Sequence, residues 1–264
     1  MYSAITGWGM AVPEKILTNA DLERIVDTSD DWIVSRTGIR ERHVAAPDET
    51  ASTLAIRAAQ EALACAHLAP TDLDMIILGT VTGDYSFPAT ACLVQDALGA
   101  TCPAFDIQAA CTGWIYGTVM AHQFVITGAA RHVLVIGVEV LSKITDMRDR
   151  GTCVLFGDGA GATVVSATET PGGVLGWTLG ADGARPEQLY RKAGGSKYPI
   201  TRDNLDSHDP YIHMMGSEVF KFATRTMGTA MEEALAKAGL TAHDIDLFIP
   251  HQANLRNIEA ASKR

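Results

Sequence analysis

One stretch of the chain repeats itself at a constant spacing. The segment Glu61-Ala-Leu-Ala-Cys-Ala-His-Leu68 matches Glu233-Ala-Leu-Ala-Lys-Ala-Gly-Leu240, and the two copies lie 172 residues apart. After a turn, each copy continues into a second matched segment, at residues 72–77 and 244–249. Each copy predicts an amphipathic helix, a polar turn and a buried strand. Helix–turn–strand units are common, but the shared residues favour an internal duplication.

The duplication predicts how the chain is divided. We expect an N-terminal half at residues 1–172 and a C-terminal half at residues 173–264, with Gly79 and His251 at equivalent strand ends. A second copy as long as the first would run well past Arg264, and no counterpart of residues 92–165 occurs in the sequence. The C-terminal half is therefore expected to be incomplete in this chain.

Apolar strands alternate with helices along the N-terminal half. Strand-like runs at residues 75–81 and 133–140 surround a helical stretch at Gly113–Ile126, which follows a short extended segment at residues 104–108. This alternation predicts an α/β fold with a mostly parallel sheet covered by helices. Active groups of such folds collect beyond the carboxyl ends of the strands, where His251 is expected. Residues 180–209 show little periodicity and predict a long excursion, such as a lid or a dimer-covering segment.

The composition excludes several classes of function. The net charge is −10 and the pI is about 5.2, which disfavours nucleic-acid binding because phosphate contacts need a basic face. No apolar run is long enough to cross a bilayer, and residues 1–9 predict a strand rather than a signal peptide. The five cysteines are odd in number and lack Cys-x-x-Cys spacing, which favours free thiols in the cytoplasm over disulfides or zinc. We expect no metal or redox cofactor.

Cys111 is the cysteine with the most reactive predicted setting. It precedes the helical stretch Gly113–Ile126 and has the small neighbours Ala109, Ala110 and Gly113, which leave room for a substrate. Unpaired N–H groups at a helix start favour a thiolate, the reactive form of cysteine. Packing is the general expectation for the others, with Cys65 on the repeated helix and Cys153 in an apolar strand.

His251 stands out among the eight histidines because it ends an apolar strand. Close to a cysteine, it would serve as a base or as a hydrogen-bond donor to a developing oxyanion. His122 and His132 predict satisfied core residues, and the other five predict surface groups; these are His43, His67, His208, His213 and His243. The glycine-rich run at residues 156–162 precedes β-branched residues rather than a helix, so it favours a tight hairpin over a nucleotide loop.

Several motifs, in order along the chain, resemble those of the ketoacyl-acyl carrier protein synthase III group of thiolase-fold condensing enzymes. They are DDWIVSRTGIRER at residues 30–42, FPATAC at 87–92, DRGT at 149–152, FGDGAG at 156–161 and PHQANLR at 250–256. The resemblance extends over the whole chain and implies a duplicated thiolase-like fold of five layers, αβαβα, in agreement with the repeat.

The resemblance also assigns roles to individual residues. It implies that Cys111 is the nucleophile and His251 the catalytic histidine. The residues implied to bind coenzyme A and its pantetheine arm are Trp32, Arg36, Arg150, Gly216, Phe220 and Asn254. The residues implied to line the acyl pocket are Phe87, Leu141, Leu155 and Phe156, and Phe87 is also implied to contact the partner subunit of a homodimer. The residues implied to dock the carrier protein are Lys221, Arg225, Arg256, Lys263 and Arg264. A planar indole suits adenine, and guanidinium groups suit phosphate.

The implied enzyme is an acyltransferase with a two-step reaction. Cys111 takes an acyl group from acyl-coenzyme A, with acetyl-coenzyme A as the expected primer, and malonyl-acyl carrier protein then condenses with loss of carbon dioxide, which initiates fatty-acid synthesis. Alternatives are a starter-unit synthase or acyltransferase of polyketide or secondary metabolism, and a non-catalytic acyl-coenzyme A-binding form; a cysteine hydrolase fits less well.

The sequence departs from the family at three points. The downstream Gly-Asn segment of the family is absent, so we expect residues 1–264 alone not to sustain condensation. Ser217 replaces a family Asn, and the nucleophile motif is Cys-Thr-Gly-Trp where Cys-Ala-Gly-Phe is usual.

Overall fold

The structure is a computed structural model that describes residues 1–262. The chain forms two compact units, each built from several segments. The first unit comprises Met1–Lys15, His43–Val140 and Gly157–Leu175, and the second comprises Ile16–Arg42, Leu141–Phe156 and Gly176–Arg264.

The described residues form nine strands and eight α-helices. The strands are β1 Tyr2–Ala11, β2 Ile16–Thr18, β3 Glu41–His43, β4 Met75–Gly79, β5 Ala104–Ile107, β6 His132–Val140, β7 Asp158–Thr168, β8 Leu189–Arg191 and β9 Ile212–Met214. The helices are α1 Asn19–Glu23, α2 Asp30–Thr37, α3 Ala51–Ala66, α4 Thr90–Leu98, α5 Gly113–Ile126, α6 Arg150–Cys153, α7 Gly216–Ala238 and α8 Leu255–Ser262.

The first unit contains a five-stranded sheet in the order β1-β7-β6-β4-β5. Strand β4 pairs in parallel with both β5 and β6, whereas β7 runs antiparallel to β6 and β1. The prediction of a mostly parallel sheet is therefore confirmed, with β7 as the reversed strand. The helix predicted at Gly113–Ile126 is confirmed as α5.

Helices cover the two faces of this sheet because β4 and β6 are apolar on both sides. Ile76 and Leu78 of β4 join a fully buried cluster with α3 and α4. The alternate residue Ile77 joins a second cluster with α5, together with Val133 and Val135 of β6. Full burial of each such side chain contributes about 1.5–3 kcal/mol, so the sheet is the organising layer of the unit.

Two glycines let the long helices α3 and α7 pack closely against chain segments that come earlier in the sequence. A Cβ atom on Gly7 of β1 would lie 2.3 Å from the Ala62 carbonyl oxygen and 2.7 Å from the Ala66 Cβ of α3. In the second unit, a Cβ on Gly176 would lie 2.3 Å from the Ala234 carbonyl oxygen and 3.0 Å from the Ala238 Cβ of α7. The same close contact thus occurs in both copies, and each glycine is followed by a tryptophan, a signal that the sequence analysis missed.

The ends of the repeated helices also match at the 172-residue offset. Helix α3 ends at Ala66 with His67 in the left-handed conformation, and α7 ends at Ala238 with left-handed Gly239. A short 3₁₀ turn follows in both copies, at Pro70–Asp72 and Ala242–Asp244. These features support the duplication inferred from the sequence.

The prediction of a second repeated strand at residues 244–249 is wrong. In the first copy β4 is held between β5 and β6, whereas residues 245–250 form no ladder with any part of the chain that the structure describes. Leu247 and Ile249 are each 73% exposed. A strand needs hydrogen-bonded neighbours, and apolar composition alone does not provide them.

Two local predictions around the glycine-rich run are also corrected. No hairpin forms there, because residues 158–161 begin the continuous strand β7, and Gly161 pairs with Gly137 of β6. The preceding residues 152–154, predicted as a strand, instead belong to α6 and its end, so Cys153 is a buried helical residue. Its expected packing role is confirmed by its place in a core with Leu22, Ile33 and Val154.

None of the described helices combines the length and apolar character needed to span a membrane.

We predict that Gly7→Ala destabilises the protein by about 1–3 kcal/mol, because its methyl group would overlap the backbone of α3. Urea unfolding followed by circular dichroism would measure the loss. Gly161→Ala is the matched control, since a Cβ at Gly161 meets no atom within 4 Å. Equal unfolding midpoints for the two variants would contradict this account of the glycine.

Candidate active site

Cys111 lies on a sharp turn between β5 and α5. Residues 110–112 form one 3₁₀ turn, in which the Thr112 hydroxyl donates to the Ala109 carbonyl oxygen at 2.7 Å. Ala110 has φ of 43°, a left-handed conformation that is unfavourable for a residue with a side chain. The turn leaves the Cys111 side chain exposed at the carboxyl end of the parallel strands.

The position of this turn depends on a close approach of two glycines. A Cβ on Gly79, the last residue of β4, would lie 2.9 Å from the Gly113 backbone. One helical turn later, a Cβ on Gly117 would lie 2.8 Å from Val135 of β6. The missing side chains let the first turns of α5 rest directly on the sheet, so that Cys111 lies just beyond the end of β4.

The electrostatic setting of Cys111 differs from the sequence prediction. Burial of its surroundings raises the pKa of the Cys111 thiol above its ordinary value, and the negative charge of Glu139 raises it further. A raised pKa favours the protonated thiol at pH 7, so the expectation that the helix start favours a thiolate is not supported.

Glu139, near the end of β6, is a charged residue of this region that the sequence analysis did not single out. Its carboxylate accepts hydrogen bonds from the Val81 backbone N–H at 2.9 Å and from the hydroxyls of Thr80 and Thr82. The Thr82 hydroxyl also accepts from the Val140 N–H at 2.8 Å. Burial raises the pKa of Glu139, and these hydrogen bonds oppose that rise. A lone glutamate within an apolar strand was the available signal.

The second unit brings together three residues predicted for coenzyme A. The Trp32 indole on α2 has two guanidinium groups over its ring, that of Arg36 at 5.0 Å and that of Arg150 at 4.9 Å from the ring centroid. Arg150, at the start of α6, also donates to the Asp27 carbonyl oxygen at 2.8 Å. Two cations and one aromatic ring form a site suited to a phosphorylated, planar ligand.

A buried network holds this part of the second unit in place. Arg42 is 4% exposed and donates to the Val154 carbonyl oxygen at 2.6 Å and to the Asn19 side-chain oxygen at 2.6 Å. Asn19 in turn donates to Asp30, in the first turn of α2, at 2.7 Å. Thr28, just before α2, has a buried hydroxyl without a hydrogen-bond partner among the described residues.

His251 and Asn254 lie on the turn before α8. The Asn254 side-chain oxygen accepts from the Asn257 N–H at 2.9 Å, so this residue caps α8. Leu255 of α8 contacts Gly38 at the end of α2, where a Cβ would approach the Leu255 Cβ to 3.0 Å. Desolvation lowers the pKa of His251, so its imidazole is neutral at pH 7.

The remaining predicted residues are distributed over both units. Gly216 is the first residue of α7, and Phe220 is half-buried one turn later. Leu155 packs against the core that contains Leu22 and Ile33. Leu141 and Phe156 are half-buried in the second unit, whereas Phe87 belongs to the first unit and is 86% exposed.

The predicted docking residues lie on the last two helices. Lys221 and Arg225 are exposed one turn apart on α7, and Arg256 is exposed on α8. The ammonium of Lys221 forms an ion pair with Glu218 at 2.8 Å, which offsets part of its charge. Lys263 and Arg264 lie outside the described residues.

The histidine predictions are partly corrected. His122 and His132 are satisfied as expected, since they hydrogen-bond Ser3 at 2.7 Å and Ser166 at 2.9 Å. By contrast, His208 and His213 are not simple surface groups, because their rings pack 4.4 Å apart. His208 also bonds Asp146 at 2.9 Å.

Comparison with known proteins gives a consistent result. The family model for 3-oxoacyl-[acyl-carrier-protein] synthase III matches residues 105–183, and the model for its C-terminal domain matches residues 235–264. Beta-ketoacyl-[acyl-carrier-protein] synthase III of Symbiobacterium thermophilum is 56% identical over 261 residues, which are 98% of this chain and 79% of the relative. The corresponding enzyme of Caldanaerobacter subterraneus is 56% identical over 99% of this chain and 80% of its own length.

A solved structure shares the fold. The synthase III of Thermus thermophilus superposes with a TM-score of 0.91 at 48% identity, covering 99% of this chain and 80% of its own. The fold and the cysteine turn thus define an α/β condensing enzyme of the thiolase-like class. The chain belongs to the 3-oxoacyl-[acyl-carrier-protein] synthase III family.

We predict that the His251 imidazole titrates below the ordinary histidine pKa of about 6.5. The folded protein binds the His251 proton more weakly than the unfolded chain does. The free energy of unfolding therefore decreases as the pH falls from the unfolded-state pKa of about 6.5 towards the lower pKa of the folded state. A two-dimensional NMR titration would measure the shift, with His251→Gln used to assign the resonance. A midpoint above 6.5 would show that desolvation does not govern this site.

Proposed function

We propose that this chain acts as a beta-ketoacyl-acyl carrier protein synthase III, which condenses an acyl-coenzyme A primer, acetyl-coenzyme A in the simplest case, with malonyl-acyl carrier protein. The observation that carries the proposal is the Cys111 turn at the carboxyl end of the sheet, in a chain 56% identical to enzymes of that name. We place it in the cytoplasm and assign it to the first condensation of fatty-acid synthesis.

In the first half-reaction, Cys111 is acylated. The thiol loses its proton as its sulfur attacks the thioester carbonyl, and the acyl group passes to Cys111 while coenzyme A leaves as a thiol. Because Cys111 begins as a neutral thiol, a base must take its proton, and the neutral imidazole of His251 suits that role.

In the second half-reaction, malonyl-acyl carrier protein loses carbon dioxide and leaves an enolate of the acetyl thioester. A neutral His251 donates its N–H to the thioester oxygen and stabilises this enolate. The enolate carbon then attacks the acyl-Cys111 carbonyl, which releases the cysteine sulfur and gives a 3-ketoacyl product on the carrier protein.

Trp32, Arg36 and Arg150 are the proposed coenzyme A site. Adenine would stack on the Trp32 ring in place of a guanidinium group, and the guanidinium groups of Arg36 and Arg150, which lie over that ring, would bind the phosphates.

A homodimer and a carrier-protein surface complete the proposal. Phe87 and Tyr85, at 86% and 64% exposure, are large apolar groups that a partner subunit would cover. Lys221, Arg225 and Arg256, with Lys263 and Arg264, are the proposed docking residues for an acidic carrier protein, which an acidic chain attracts only through a local basic patch.

The central test is incubation with acetyl-coenzyme A, followed by peptide mass spectrometry. We predict acetylation of Cys111 and none in Cys111→Ala. When malonyl-acyl carrier protein is added, carbon dioxide release with a 3-ketoacyl product would support the proposed condensation and overturn the expectation that residues 1–264 alone do not sustain it. Label on Cys65, Cys92, Cys102 or Cys153 without label on Cys111 would contradict the assignment. Free acetate as the sole product would instead indicate a hydrolase.

Mutations in the proposed coenzyme A site and in the proposed docking surface should affect different steps. Trp32→Ala is predicted to raise the KM for acetyl-coenzyme A in Cys111 acylation about tenfold through lost stacking, without weakening carrier-protein binding. The double change Lys221→Glu with Arg256→Glu is predicted to weaken carrier-protein binding at least about tenfold and to leave acylation unchanged.

Matched controls keep these outcomes specific. Trp177→Ala removes another tryptophan under a lysine, with the Lys237 ammonium 5.4 Å from its ring, and should leave acylation unchanged. Lys197→Glu reverses an exposed charge away from α7 and α8 and should leave carrier binding unchanged. Losses of equal size in variant and control would overturn the surface assignments.

A further inference from the structure

We propose that Glu139 is a positioning residue for Cys111. Its carboxylate ties the chain after β4 to the end of β6, on the face of the sheet where the Cys111 turn lies, and places a negative charge there that opposes formation of a second anion at the sulfur until a thioester arrives. The inference deepens the proposed function because it concerns the same nucleophile.

The strand register places Glu139 on the side of the sheet that carries Cys111. Val133 and Val135 of β6 pack with α5, and residues at every second position share that face. Gly137 pairs with Gly79 in the parallel ladder, and a Cβ on Gly137 would lie 3.3 Å from the Trp114 Cβ of α5. Glu139 is the next residue along this face, at the start of α5, where the Cys111 turn lies.

Hydrogen bonds fix the carboxylate at that place. One oxygen accepts from the Val81 N–H at 2.9 Å, and the other accepts from the Thr82 hydroxyl and from that of Thr80 at 3.4 Å. Thr82 in turn accepts the Val140 N–H at 2.8 Å, which closes a ring of contacts between the two strand ends. The same strand end contacts the backbone of Gly113, two residues after Cys111.

The other acidic groups at this end of the first unit have partners elsewhere. Asp84 accepts from the Ser52 N–H at 2.9 Å and from its hydroxyl. Asp106 on β5 accepts the N–H groups of Thr90 at 2.7 Å and Ala91 at 2.8 Å, and Asp158 on β7 accepts the Ala45 N–H at 2.7 Å. Among the described groups, Glu139 is the one whose charge acts on the Cys111 thiol.

A neutral resting thiol has a chemical consequence. Thiolates are the form that oxidants and alkylating agents attack, so a nearby carboxylate protects an exposed cysteine between turnovers. Once Cys111 is acylated, its sulfur carries no ionisable proton, and the carboxylate no longer opposes the chemistry at that atom.

The test is the pH dependence of iodoacetamide alkylation of Cys111, followed by peptide mass spectrometry on the full chain. Glu139→Gln keeps the shape and hydrogen-bonding capacity while removing the charge. We expect its midpoint to move to lower pH, which makes alkylation about three- to tenfold faster at pH 7. Glu139→Asp retains the charge, so its alkylation midpoint should lie closer to the wild-type value than that of Glu139→Gln. Glu14→Gln, at an exposed position, is the control for the change in net charge.

A purely structural role for Glu139 would change stability or the maximal alkylation rate without moving the midpoint. An unchanged midpoint in folded Glu139→Gln overturns the inference. If that variant does not fold, the wild-type profile decides, because a midpoint below the ordinary thiol value of about 8.5 contradicts a neutral resting thiol. Either of these two results would overturn the role of Glu139 only. The proposed function is tested separately, by acetylation of Cys111 with acetyl-coenzyme A.

Discussion

The contact between Gly79 and Gly113 is the constraint on which the nucleophile depends. Gly79 ends β4, and a Cβ there would lie 2.9 Å from the Gly113 backbone. The contact brings the first turn of α5 onto the sheet, and the intervening chain from β5 must then turn sharply. Left-handed Ala110 absorbs that turn and leaves Cys111 exposed at the strand ends. Larger residues at either glycine would separate helix and strand and displace the sulfur.

The surroundings of Cys111 and His251 favour the uncharged form of each side chain. Burial and Glu139 raise the pKa of Cys111, and desolvation lowers the pKa of His251, so both groups are neutral at pH 7. In the proposed acylation, a neutral thiol gives up its proton as the thioester is attacked. The glutamate also ties two strand ends together, so one residue links the geometry of the turn to its charge.

The second unit uses a different principle, in which charge is concentrated around one aromatic ring. Arg36 and Arg150 come from separate helices, and the buried Arg42 network joins the segments that carry them. A buried guanidinium group needs hydrogen-bond partners, and each nitrogen of Arg42 has one, in the Val154 carbonyl oxygen or the Asn19 side chain. The network thus joins α2 and α6, the helices that carry the two exposed arginines.

The sequence by itself determined the duplication, the α/β class, helix α5, the family and the candidates Cys111, His251, Trp32, Arg36 and Arg150. These follow from local periodicity and from motifs, which depend on neighbouring residues along the chain. The tertiary structure decided what periodicity does not contain. Residues 158–161 belong to a strand, residues 245–250 form no ladder with the described part of the chain, and Gly7 and Gly176 make equivalent contacts. The tertiary structure also decided the protonation of Cys111, because a pKa depends on burial and on Glu139, which is 28 positions away in sequence and beside the nucleophile only after β6 and α5 have packed together.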